Sequence, residues 1–125
     1  MTKWTDDELA GIAAAEELRI APQRRDGTPR RPVTIWVVRQ GDDLYVRSYR
    51  GPEGSWFRSA RASGQGHIEA GGVDKDVNFV EETDLAINGA IDDAYRTKYR
   101  RYLDSYVPPM LAEGARATTL RLQPR

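Results

Sequence analysis

The sequence predicts an α+β domain in which about six antiparallel strands, joined by tight turns, are flanked by three helices. Three observations predict it. Turn signals recur between short alternating segments, at Asp26-Gly27, at Gly41 to Asp43 and at Gly71-Gly72, and such pairs suit hairpins because glycine enters the left-handed backbone region at little cost. The segment VTIWVV, 33–38, is apolar on both faces, as expected of a strand covered on two sides in a small closed barrel. Helical periodicity is confined to three stretches.

At 125 residues the chain has the length of one domain, 1–125, enough to bury roughly two-thirds of its unfolded surface around one core. Nineteen basic residues balance nineteen acidic ones, so the net field gives no reason to expect nucleic acid or an anionic membrane as partner. There is no cysteine and one histidine, His67, which excludes disulfides, thiolate chemistry and a His-rich metal site. The start, MTKWTDDELAG, lacks the basic and apolar regions of a secretory signal, and no stretch has the roughly 18 apolar residues of a membrane span. The expectation is a soluble cytoplasmic protein.

Thr5 and Glu8 form a capping-box pattern, and Leu9, Ile12, Ala13 and Glu16 share one face, so the spacing predicts a helix over 6–18 on the outside of the core. LRIAPQRR, the turn DGTPRRP and VTIWVV follow as strand, turn and strand. The Gly41 turn leads to a third strand at 44–49, with Leu44, Val46 and Ser48 on one face and Tyr45, Arg47 and Tyr49 on the other. After the loop RGPEG, Ser55 is placed to cap a short helix, SWFRSARA, that ends before Gly64 and Gly66. GHIEAG and VDKDVNFVEE pair across Gly71-Gly72. Asp84 caps a longer helix over 84–104, which Pro108-Pro109 stop, and ARATTLRLQPR alternates into a last strand ending at Pro124.

The chemistry concentrates in YVRSYRGPEGSWFRSAR, 45–61, where Arg47, Ser48, Arg50, Ser55, Arg58 and Arg61 straddle a glycine loop that enters a helix. Planar guanidinium donors match phosphate oxygens, and helix N-terminal N–H groups add oriented dipoles. The alternative is an exposed arginine loop. Trp56 and Tyr49 are suited to stacking on a flat heterocycle, or to plain packing. Arg24, Arg25, Arg30 and Arg31 surround one turn, as a phosphate-facing patch or a solvated hairpin. His67 and Glu69 share a strand face and are weighed as a proton-transfer pair against a structural role. Asp92-Asp93 and Glu81-Glu82 read as solvated faces or caps.

In order and spacing, DGTPRRPVTIWVV, DLYVRS, the Gly/Pro loop, SWFRSARA and GHIEAGGVDKDVNF resemble the FMN-binding split-barrel superfamily. Within it, they resemble an uncharacterised bacterial domain family related to the deazaflavin-dependent nitroreductases. The resemblance covers about residues 18–123 and implies a six-stranded antiparallel split β-barrel, flavin-reductase/pyridoxamine-oxidase-like, with flanking helices. It implies FMN or a deazaflavin coenzyme as cofactor, a homodimer, and reductase chemistry. By position, Arg30 and Arg31 match the hairpin element that holds cofactor phosphate, Arg47 and Ser48 the strand end, and Ser55, Trp56 and Arg58 the loop and helix start. The helix motif W-x-x-N-L of the relatives is departed from at Ser59-Ala60, and their small Gly-rich loop is Tyr49-Arg50-Gly51-Pro52-Glu53 here. A split barrel that has lost its cofactor and serves as a binding module is the alternative.

Overall fold

The computed structural model describes residues 3–125. Seven strands, β1 (Leu18–Pro22), β2 (Val33–Ile35), β3 (Val38–Gln40), β4 (Asp43–Val46), β5 (Gln65–Ala70), β6 (Val73–Glu81) and β7 (Leu120–Pro124), form one curled sheet. Every pairing is antiparallel, in the order β2-β1-β5-β6-β7-β4-β3. The two edge strands are consecutive in the chain, separated by Trp36 and Val37. One kinked segment therefore borders the sheet on both sides.

That kink explains the seventh strand. The expected strand 33–38 is broken because Val37 leaves the ladder and satisfies its backbone on α3 (Leu85–Lys98) and the residue after it. The Tyr99 hydroxyl accepts from the Val37 N–H at 3.1 Å and donates to the Glu16 carbonyl at 2.7 Å. Lys98 Nζ donates to the Val37 carbonyl at 2.7 Å, and Trp36 stacks on Tyr99 with ring centroids 3.8 Å apart. Both backbone polar groups of Val37 thus have partners, without which such a break would be costly. Burial pulls the Lys98 amine down to about 8.

Helix α1 (Asp6–Ala14) has the expected capping box between Thr5 and Glu8. It ends four residues before the expected boundary, at Ala14, because the chain turns extended at Ala15 to enter β1. Its Leu9 and Ile12 are buried in the main cluster with Leu18, Ile20, Leu44 and Ile68. Helix α2 (Ser55–Ser63) presents Trp56, Phe57 and Ala60 to the same cluster. The sequence expects one core; a second cluster lies on the outer side of β3 and β4, where Val38 and Tyr45 meet Ile91, Tyr95 and Tyr99. Two short helices, α4 (Val107–Leu111) and α5 (Glu113–Arg116), replace the coil and early strand expected there. Pro108 and Pro109 occupy the first turn of α4, where a missing N–H costs nothing. Among the described residues no helix is long and apolar enough to cross a membrane.

Candidate functional site

Strand β4 stops at Val46, three residues short of the expected boundary, and Arg47 and Ser48 continue beyond it. The pleat sends them opposite ways. Arg47 follows Tyr45 toward α3 and is 1 % exposed. Its Nε donates to Thr119 Oγ1 at 2.9 Å. One terminal nitrogen donates to Asp92 Oδ1 at 2.5 Å and to the Met110 carbonyl at 3.0 Å. The other donates to the Asn88 carbonyl at 3.2 Å and to Asn88 Oδ1 at 3.0 Å. A guanidinium has five N–H donors, and all five are used inside the protein. The phosphate-binding role read for Arg47 is therefore corrected: it ties β4, α3, α4 and the approach to β7 together.

Ser48 turns to the other side. It too is 1 % exposed; its N–H donates to Thr118 Oγ1 at 2.8 Å, but its own Oγ has no hydrogen-bond partner. The chain then makes a tight 3₁₀ turn at Gly51–Glu53, with Gly51 at φ +69°, and enters α2 through Gly54. Gly54 is the N-cap, not Ser55, and no side chain caps this helix. The first intrahelical bond is from the Arg58 N–H to the Gly54 carbonyl at 3.0 Å, so the amides of Ser55, Trp56 and Phe57 precede the ladder. A Cβ on Gly54 would lie 2.3 Å from Ser48 Oγ. The orphan hydroxyl thus sits against the positive end of α2.

This corner lines a half-open cleft of about 470 Å³, whose walls include Val33, Trp36, Ser48, Trp56, Tyr106 and Met110. That volume suits a small organic ligand. Trp56 is buried, packed edge-on to Phe57, so it is a wall of the cleft. Trp36 and Tyr106 belong to an aromatic series with Tyr99 and Tyr102. Glu53 and Arg50 also line the cleft. Ser55 lines it and the neighbouring groove between α2 and the β1–β2 hairpin loop, where Arg30 and Arg58 lie; Arg31 joins at the shallow end of that groove. Of the residues read as phosphate-binding, six are thus brought to one connected surface with free polar or aromatic groups; Arg47 also borders the cleft, but its guanidinium is engaged inside the protein.

His67 does not pair with Glu69. Its Nδ1 lies 2.7 Å from Asp76 Oδ1 and its Nε2 contacts Asp74, while Glu69 faces Arg19 at 3.9 Å. The Asp76 hydrogen bond, above all, pushes the imidazole up from its ordinary range. Among the described residues no three His, Asp or Glu side chains are grouped to hold a metal. Asp92, read as solvated, is a part-buried counter-ion to Arg47 that also lies 3.3 Å from Arg116 Nε. A signal for it existed: Asn88, Asp92, Tyr95 and Tyr99 recur at the spacing of the inward stripe that holds Ile91.

No curated protein sequence matches the chain. Among solved structures, a pyridoxamine 5′-phosphate oxidase-like protein of Listeria innocua superposes with a TM-score of 0.67 at 15 % identity, covering 96 % of this chain and 92 % of that one. An F420 reductase gives 0.59 at 15 %, covering 93 % and 91 %. A FAD-binding protein of Mesorhizobium loti gives 0.58 at 18 %, covering 98 % and 90 %. At these identities the likeness is one of fold, a split β-barrel with flanking helices. The sequence profile of the family described as "Uncharacterized protein conserved in bacteria (DUF2255)" matches residues 8–122, nearly the whole chain, and this chain belongs to that family.

Proposed function

We propose that the cleft binds a flavin-type cofactor, FMN or a deazaflavin, with its phosphate held at the N-terminus of α2. One observation carries the reading. A buried hydroxyl without a partner, Ser48 Oγ, sits against a helix end that has no side-chain cap. Leaving a buried polar group unpaired costs roughly 1–3 kcal/mol, and an oxyanion there would accept from the hydroxyl and the first α2 amides together. The residues present therefore fit a phosphate ester.

In this reading Ser48, Ser55 and the first α2 amides hold the phosphate, and Arg30, Arg31 and Arg58 line the groove that continues beyond Ser55. Trp56 closes the cleft beside the phosphate, and Trp36 with Tyr106 offers the aromatic wall for the ring. A flavin or deazaflavin, when bound, supplies hydride transfer; the protein's part is to orient it and exclude water. Val33, Tyr49 and Tyr106 are 39 %, 56 % and 56 % exposed at the rim, an apolar edge that a second subunit of a homodimer would cover.

Glu53 favours a second reading, a binding module without cofactor or catalysis, because its carboxylate lines the same cleft and repels a phosphate. Titration with FMN and with the deazaflavin coenzyme, followed by tryptophan fluorescence, separates the two. Dissociation constants below about 100 μM, raised roughly tenfold by Ser48→Ala, support cofactor binding. Absence of binding up to about millimolar concentration would sink it.

A further inference from the structure

We propose that the cleft continues into a second anion subsite, formed by the β1–β2 hairpin loop and the flank of α2, and that its ligand carries a diphosphate. The inference rests on the reading of the cleft as a flavin-nucleotide site and deepens it. A groove of about 450 Å³ runs between Arg24, Arg25 and Arg30 on the loop and Arg58 on the helix. A shallower part of about 270 Å³, which adds Arg31, links it to the cleft through Val33 and Trp56. Ser55 lines all three spaces. The groove is an extension of the site and begins at its phosphate end.

Charge is what sets it apart. No Asp or Glu lines either part of the groove. Among the described residues, Arg30, Arg31 and Arg58 make no ion pair. Elsewhere Arg19, Arg39, Arg61, Arg96, Arg101 and Arg121 each face a carboxylate. Since the chain has equal numbers of acidic and basic residues, the unpaired guanidinium groups mark a local excess of positive charge.

The cleft itself lacks such an excess. Arg47 is neutralised by Asp92, and Arg50 and Glu53 cancel. Ser48 Oγ and the α2 amides hold one phosphate by dipoles alone, so a second anionic group gains most by lying where full charges stand unpaired. Arg58 follows Ser55 by three residues, about 4.5 Å along the helix, which puts its guanidinium within reach of the phosphate next to the first. Planar, multidentate donors are the ones that suit adjacent phosphates.

The test titrates riboflavin, FMN and FAD, and separately inorganic phosphate and pyrophosphate, into the wild-type chain and an Arg30→Ala/Arg58→Ala variant. Tryptophan fluorescence reports binding, because Trp56 borders both cleft and groove. FAD is expected to bind at least tenfold tighter than FMN, and pyrophosphate tighter than phosphate. The double variant is expected to abolish both preferences while keeping that of FMN over riboflavin. Equal affinities within each pair, or preferences that survive the double variant, overturn the diphosphate subsite. If no flavin binds but an arginine-dependent pyrophosphate preference remains, the subsite stands and the flavin reading falls.

Discussion

The Arg47 guanidinium and the Asp92 carboxylate meet at 2.5 Å inside the protein, 45 residues apart in sequence. Arg47 also bonds Met110, a wall residue of the cleft, through its carbonyl. Removing one partner of a buried pair leaves an uncompensated charge, typically at a cost of 3–5 kcal/mol. Arg47→Met and Asp92→Ala are each expected to lower unfolding stability by about that amount, measured in urea. Replacing both together with apolar side chains is expected to recover a large part.

Ser48 makes the opposite prediction for stability and for binding. Deleting its unpartnered hydroxyl removes a desolvated group, so Ser48→Ala is expected to leave the free protein as stable or more stable by up to about 1 kcal/mol. The same change weakens the phosphate ligand. A thermal melt and a titration on one preparation check both signs. A loss of stability beyond about 1 kcal/mol would show that the hydroxyl is already paired.

At Val37 the break in the strand depends on one phenol. Tyr99→Phe keeps the stack on Trp36 but leaves the Val37 N–H and the Glu16 carbonyl without that partner. A cost of roughly 1–3 kcal/mol is expected, with faster amide exchange at Val37 than in the β5–β6 pair.

His67 sits between Asp74 and Asp76, and these carboxylates favour its charged form. Its folded pKa is raised above the unfolded value, so the stabilisation is full below about 6.5 and is lost as pH rises through the folded pKa. The side chain is 40 % exposed, so the effect is expected to stay below about 1 kcal/mol. His67→Asn should flatten the decline in melting temperature above pH 6.5; an unchanged slope would assign that decline to other groups.

Much of the fold is legible because it is written locally. The Thr5 capping box, the Asp84 cap and the glycine hairpins each lie within a few residues of chain, and each has the structure that spacing implies. Alternation also placed Arg47 and Ser48 on opposite faces. It could not say which face opens to the cleft, since that depends on Asn88, Asp92 and Met110, 41 to 63 residues away. The kink at Val37 was hidden for the same reason, its partners Lys98 and Tyr99 being 61 and 62 residues distant. The N-cap was misread because Ser55 is the better capping side chain, whereas Gly54 is required by the Ser48 hydroxyl that presses on it.

Because β2 and β3 are one segment bent at Trp36 and Val37, the sheet's two vulnerable margins share a single fastening. Open margins of a sheet are templates for intermolecular strand addition. Loosening Lys98 and Tyr99, the side chains that grip Val37, would free both at once, which makes the Tyr99 contact a guard against self-association as well as a contribution to folding.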